Sequence, residues 1–220
     1  MSGGKDSVAM LLLILEKRDI YPIDEVINCD TGWEFDSVYK VLDQVKDICD
    51  KNDIKYTSID IKLEDKFKDY SWCGANARWG TTKKVQALKS YYKLVYPNFN
   101  VVEYIGYAKG ESRRIKHRID KSQVFPLIEQ GLTENDCLIK CYRANIHWIE
   151  DNKELYDTLD RVSCKYCRNK NLKELKGLYT TFPNYWEEIK AKQLTTERPF
   201  RKDYTLEQLE EKFDKEINND

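Results

Sequence analysis

The chain reads as an α/β protein in which parallel strands are joined by right-handed crossovers, followed by a helical, cysteine-bearing region. Three observations predict this. The block Ser2-Gly3-Gly4-Lys5-Asp6-Ser7 opens directly into an apolar helix. Strand-like and helix-like segments then alternate up to about residue 106, a pattern that implies a parallel sheet. After residue 120 the patterns are helical and carry cysteines.

The elements follow in order. Residues 5–18 place Val8, Leu11, Leu12 and Leu15 at helical spacing, and Ala9, Met10, Leu13 and Ile14 fill most other faces, so this helix is expected to be buried. Glu25-Val26-Ile27-Asn28-Cys29 reads as a short strand ending at the turn Asp30-Thr31-Gly32. A helix is expected over about 34–51, a strand over 54–61 and a loop over 62–77. Val85, Leu88, Tyr92 and Val95 mark another helix, and Val101-Val102-Glu103-Tyr104-Ile105 a third strand closed by Gly106. Further on, Thr133-Glu134-Asn135-Asp136 suits a helix start. Pro183 suits the first turn of a helix over 184–193. Thr205 with Gln208 forms a capping-box pattern before a final amphipathic helix. A phosphate loop of this kind should follow a strand, yet only Met1 precedes it, so the expected sheet lacks its first strand and truncation is suspected.

Composition bounds the rest. The 220 residues are 41% apolar and 34% charged, which reads as soluble and globular. No run approaches the roughly 18 apolar residues of a membrane span. The loop occupies the position of a signal peptide, and seven cysteines, an odd number, argue against a disulfide framework and for a reducing cytoplasm. A net charge of −1 gives no general attraction to nucleic acid.

Four groups of residues can carry chemistry. In the loop, two glycines let the backbone approach an anion, the amides of Gly3, Gly4 and Lys5 lie at the positive end of a helix, and Ser2, Ser7 and Lys5 add donors and charge. Asp30, beyond a strand's carboxyl end, is placed to contact a nucleotide or the Mg²⁺ near its phosphates; Thr31 and Gly32 share that turn, which a plain strand-to-helix connection would also explain. The run from Lys109 to Arg118 holds five Lys and Arg besides His117, enough for an anion-binding or RNA-attracting rim, though also typical of a solvated loop. Finally, Cys164-Lys165-Tyr166-Cys167 is a CxxC, Cys137 and Cys141 stand four apart on one helix face, and Cys73 sits in a loop. Zinc and an iron–sulfur cluster both suit four thiolates, while several of these cysteines would serve equally as small core residues. Cys29 and Cys49 read as core, and His117 and His147 as structural or surface residues.

Taken in order, these segments resemble the phosphoadenosine phosphosulfate (PAPS) reductase family, within the adenine nucleotide alpha-hydrolase-like, or PP-loop, superfamily. The matching pieces are the loop 2–7, Asp30-Thr31-Gly32, Trp72-Cys73-Gly74, Arg78-Trp79-Gly80-Thr81 with Lys84, Gly106 with Glu111-Ser112-Arg113-Arg114, and Arg161-Val162-Ser163-Cys164 through Cys167. A Leu-Tyr…Phe-Pro stretch through Trp186 follows, so the resemblance covers nearly the whole chain. It implies a doubly wound, Rossmann-like (HUP-type) sheet. Residues 1–130 would form the nucleotide-binding domain, and 131–220 a helical CxxC region packed on it. It implies ATP or PAPS as nucleotide, with Lys5, Asp6 and Asp30 catalytic. Ser2, Gly3, Gly4, Ser7, Thr31, Gly32, Arg78, Lys84, Gly106, Glu111, Arg113 and Arg114 would join them in binding. Cys73, Cys141, Cys164 and Cys167 become the expected metal quartet, holding zinc or an iron–sulfur cluster, with Mg²⁺ at the phosphates.

Members of the family either reduce PAPS to sulfite or adenylate a substrate with ATP, often before sulfur insertion. The reductases end in a catalytic cysteine within a Glu-Cys-Gly-type segment; here no cysteine follows Cys167. ATP-dependent adenylation or sulfur transfer is therefore expected ahead of PAPS or adenylyl sulfate reduction, and a non-catalytic nucleotide-binding accessory role is the further alternative. The implied partners are a sulfur donor protein or thioredoxin. The final helix is available to pack at home or on a partner, such as a second copy.

Overall fold

A computed structural model describes residues 1–74, 78–115, 122–162 and 164–219. In chain order, α1 (Lys5–Glu16), β1 (Glu25–Asp30), α2 (Asp36–Lys51) and β2 (Lys55–Asp60) form the opening α/β run. Next come α3 (Leu63–Tyr70), α4 (Trp79–Val95), β3 (Glu103–Tyr104), a 3₁₀ turn (Lys109–Arg114), β4 (Gln123–Val124), α5 (Pro126–Glu129) and α6 (Glu134–Arg143). The chain closes with β5 (Ile149–Glu150), β6 (Lys153–Glu154), α7 (Leu155–Thr158), α8 (Leu172–Thr181), α9 (Pro183–Gln193) and α10 (Leu206–Ile217).

Packing gathers these elements into two compact units that interleave along the chain. Unit 1 holds Met1–Asp30, Asp36–Asp60 and Val85–Trp148; unit 2 holds Thr31–Phe35, Ile61–Lys84 and Ile149–Asp220. In unit 1, β1 and β2 pair in parallel from Glu25↔Lys55 to Asp30↔Asp60, as the alternating pattern requires. Met1 lies beside β1, its ammonium donating to the Ile27 carbonyl at 2.6 Å. α1 buries Val8, Ala9, Leu11, Leu13 and Ile14, and α2 buries Val38, Val41, Leu42 and Val45. α6 packs on α1, and its start carries the full capping box between Thr133 and Asp136. Cys29 and Cys49 are buried as expected of core residues.

Unit 2 is helical and aromatic. Trp72, Phe200, Trp186 and Phe213 are almost fully buried and meet edge to face, Trp72 with Phe200 at 4.8 Å and Trp186 with Phe213 at 6.1 Å between ring centres. The hairpin of β5 and β6 turns through Asp151 and Asn152, both left-handed at φ 48° and 62°. A two-residue turn of that kind matches the twist of paired strands. Asn171 with Glu174 and Thr205 with Gln208 close capping boxes on α8 and α10.

Two expectations are corrected. The loop expected over 62–77 contains α3, because Leu63 and Phe67, four apart, bury one face and leave 3% of each exposed. The third strand contracts to Glu103–Tyr104, which pairs in parallel with β4. The helix expected around Val85–Val95 is present as α4, with Val85 and Leu94 exposed at 45% and 81%. The described residues form three two-stranded sheets, two parallel and one antiparallel.

Candidate functional site

The loop 2–7 is built by steric necessity. Gly3 has φ +73°, and a Cβ there would stand 2.7 Å from Val38 Cγ1, so neither the angle nor the space admits a side chain. Gly4 is the N-cap of α1, in extended conformation with no side-chain cap. Ser7 folds back instead, its hydroxyl donating to the Gly4 carbonyl at 2.9 Å. Ser2 completes the circuit, donating from its hydroxyl and its amide to Ser7 Oγ at 3.1 and 3.3 Å. Two distant residues pin the loop. The Trp148 indole donates to the Gly3 carbonyl at 2.8 Å, and the Cys141 thiol donates to the Lys5 carbonyl at 3.4 Å. Gly106 forms a close wall, for a Cβ there would lie 3.1 Å from the Asp6 carbonyl oxygen.

Lys5 is nearly buried, and its ammonium lies 3.0 Å from Asp6 Oδ1 and 2.9 Å from Glu134 Oε2. Burial works against the charge, but Asp6 and Glu134 outweigh it and hold the Lys5 pKa above its ordinary value. Asp6 moves the same way for a different reason. Burial pushes its carboxyl up, Lys5 opposes this, and the negative charges of Glu134 and Glu111 add to the rise. The result is a cation at the first turn of α1, paired with two carboxylates. Asp30 sits at the end of β1 and accepts a hydrogen bond from Tyr39 at 3.0 Å.

The other expected binding residues divide between the units. Gly106, Glu111 and exposed Arg113 lie in unit 1 with the loop. The side chain of Arg114 and the run Lys116-His117-Arg118 lie outside the described residues. Thr31, Gly32, Arg78 and Lys84 belong to unit 2. There Thr31 is buried, donates to Glu34 at 2.9 Å and accepts from the Trp33 amide at 3.0 Å. Lys84 lies 3.6 Å from Glu34. Gly32 takes the left-handed turn angle, φ +72°.

The cysteines were expected as a quartet. Cys141 is in unit 1, fully buried, its thiol engaged with Lys5 and its pKa pushed up to about 12, chiefly by burial. Cys73, Cys164 and Cys167 are in unit 2. The Cys73 sulfur accepts from the Gly80 amide at 3.3 Å, and Cys164 and Cys167 hydrogen-bond to one another, which with burial raises Cys164 well above the ordinary thiol range. Among the described residues, no group of three or more His, Cys, Asp or Glu is arranged to hold a metal ion. His147 stacks on Tyr142 at 4.6 Å, a packing role.

Sequence reasoning missed Glu134 and Trp148. Glu134 looked like an ordinary acidic residue in the first turn of a helix; only the packing of α6 on α1 brings it to Lys5. No local pattern links Trp148 to Gly3, 145 residues away. A cavity of about 740 Å³ in unit 1, walled by Tyr92, Tyr96, Phe99 and Val102 among others, includes no loop residue.

A glycine-constrained loop opening a buried helix, with a parallel strand pair in the same unit, defines a mixed α/β protein. Residues 1–112, just over half of the 220-residue chain, match the phosphoadenosine phosphosulfate reductase domain, and the chain belongs to that family. No curated protein and no solved structure matches it.

Proposed function

We propose that loop 2–7 binds the phosphates of an adenine nucleotide and that the chain is an enzyme of sulfur metabolism using ATP to adenylate an acceptor, as a step toward sulfur transfer. The observation that carries this reading is the loop itself: Gly3 held where no side chain fits, Ser2 and Ser7 converging on it, and the Lys5 ammonium at the start of α1. Such a loop offers amides and, once Lys5 and the serine hydroxyls leave their present partners, a charge and hydroxyl donors to phosphate oxygens.

In this reaction an acceptor atom bonds to the α-phosphorus, the bond to the bridging oxygen breaks, and pyrophosphate leaves with that electron pair. Lys5 exchanges its Asp6 and Glu134 partners for phosphate oxygens and stabilises the negative charge that develops on them. Asp6 and Glu134 keep the ammonium in place before the nucleotide arrives. Mg²⁺ entering with the phosphates would screen the charge of Asp6 and Asp30. PAPS reduction is the second reading, favoured by the family of the matching domain. The purified chain, given ATP or PAPS in separate assays, distinguishes them. Pyrophosphate release from ATP supports adenylation, and sulfite release from PAPS with thioredoxin supports reduction. Nucleotide binding with neither product would leave an accessory role.

A further inference from the structure

The chain nearly balances its charge, with 37 Lys and Arg against 38 Asp and Glu, but not evenly along its length. No acidic residue lies between Asp69 and Glu103, the longest such stretch, yet Lys83, Lys84, Lys89 and Lys93 all do. Lys89 and Lys93 belong to unit 1, are exposed, and stand four apart on one face of α4. Among the described residues neither meets a carboxylate. Val85, four residues before Lys89, is exposed on the same face.

This face leads into the cavity of about 740 Å³, whose wall includes Lys93 with Tyr92, Tyr96, Phe99 and Val102. The wall is already fixed in place. The Tyr92 hydroxyl donates to Glu103 at 3.1 Å, and the Tyr96 hydroxyl to Glu25 at 2.6 Å. Each ring is therefore held both by α4 and by its hydroxyl, and what it has left to offer is its apolar body. Glu103 also accepts from Gln123 at 3.1 Å, so the first carboxylate after the acid-free stretch is already engaged. Phe99 meets Tyr96 edge to face at 6.2 Å between ring centres, yet 73% of it is exposed, as is 53% of Val102.

Clustered apolar side chains left in water beside a polar rim mark a contact site. The charge selects the occupant. A segment that brings carboxylates to Lys89 and Lys93, and an apolar anchor to the cavity, gains from both. A second copy related by a two-fold axis through this face would set lysine against lysine. A nucleic acid would find two unpaired lysines, and aliphatic Val85 and Val102 where stacking bases need rings. A rigid wall also lowers the ordering cost of binding.

We infer that the α4 face carrying Val85, Lys89 and Lys93, with the adjoining cavity, is a docking site for an acidic segment of a partner protein. An aromatic or branched aliphatic side chain of that segment is its anchor in the cavity. The site uses only unit 1 residues outside loop 2–7 and stands whether or not the loop binds a nucleotide.

Phage-displayed random peptides of twelve residues test this. The library is depleted on the Phe99→Ser chain, which keeps the loop, and then selected on the wild-type full chain. The most enriched peptide is synthesised with a fluorescein label and titrated by anisotropy. Enriched sequences should combine Asp or Glu with an aromatic or branched aliphatic residue, and the labelled peptide should bind saturably. Phe99→Ser should weaken its Kd by about tenfold or more, as for loss of a central anchor. Lys93→Glu should weaken it by about tenfold, and added salt should weaken binding to the wild type. If Phe99→Ser does not fold, Val102→Ser replaces it in the depletion and the titration. No enrichment, enriched peptides without acidic residues, or an unchanged Kd in Lys93→Glu overturns the proposal. A ten-nucleotide oligothymidylate that binds where no peptide is enriched overturns it in favour of a nucleic-acid surface. A dimer in sedimentation velocity that Phe99→Ser dissociates overturns it in favour of a second copy.

Discussion

Gly3 concentrates the steric argument of the candidate site in one residue. Its left-handed φ and the 2.7 Å approach of Val38 to a hypothetical Cβ mean that Gly3→Ala should lose about 1–2 kcal/mol from backbone strain alone, more if α2 must move. A denaturant-midpoint measurement checks this, and an unchanged midpoint would show that the loop is softer than its geometry indicates. Asp6 makes a prediction of opposite sign. Its folded-state pKa lies above the ordinary aspartate value of 3.8, chiefly because of burial. Folding therefore favours the protonated form, an advantage fully present below the unfolded value and lost as pH rises through the folded one. Asp6→Asn stays neutral throughout. It should match the wild type in acid and become the more stable of the two toward neutral pH, while weakening the hold on Lys5. Parallel melting curves from pH 3 to 7 decide this; a variant less stable at neutral pH would mean that the pairing with Lys5 outweighs burial.

At the scale of elements, what was legible from sequence is what is local. α1, β1, α2 and β2 announce themselves by periodicity, and the caps at Thr133 and Thr205 by residue type. α3 was hidden because its apolar face is two residues, Leu63 and Phe67, within a charged stretch. α4 was legible as a helix from its spacing, but that spacing does not reveal whether its apolar residues are covered. The cap of α6 couples to the site: Thr133→Ala should cost about 1 kcal/mol and loosen Glu134, the next residue, from Lys5. Melting temperature reports the first effect and nucleotide affinity the second. In the β5–β6 hairpin, Asn152→Gly should be tolerated at φ 62°, whereas Asn152→Val should cost about 1–2 kcal/mol, measurable by the same melts.

For the whole molecule, the opening alternation of helix and strand survives from α1 to β2, but the division into compact units does not follow the chain. Thr31–Phe35 leaves unit 1 between two of its elements and joins unit 2. That exchange is set by the burial of Trp33 and Phe35 among unit 2 aromatics, a long-range effect that periodicity does not carry. It also explains why residues adjacent in a motif, Asp30 and Thr31, fall in different units. Burial accounts for thiol behaviour as well. Cys49 and Cys137 are fully buried, with pKa values raised to about 11 and about 12, chiefly by burial. Both should resist iodoacetamide at pH 8 in the native protein and react after denaturation, as peptide mass analysis would show.

In the proposed function, Lys5 and its loop bind nucleotide phosphates. Calorimetric titration of the full chain with ATP and with PAPS, beside adenosine as a phosphate-free control, tests it most directly. At least one nucleotide should bind saturably and adenosine far more weakly. In Lys5→Gln, checked for an intact melting transition, affinity should fall about tenfold or more, as for a lost charge-assisted contact. No binding of either nucleotide, or equal affinity with and without the Lys5 charge, would contradict the account.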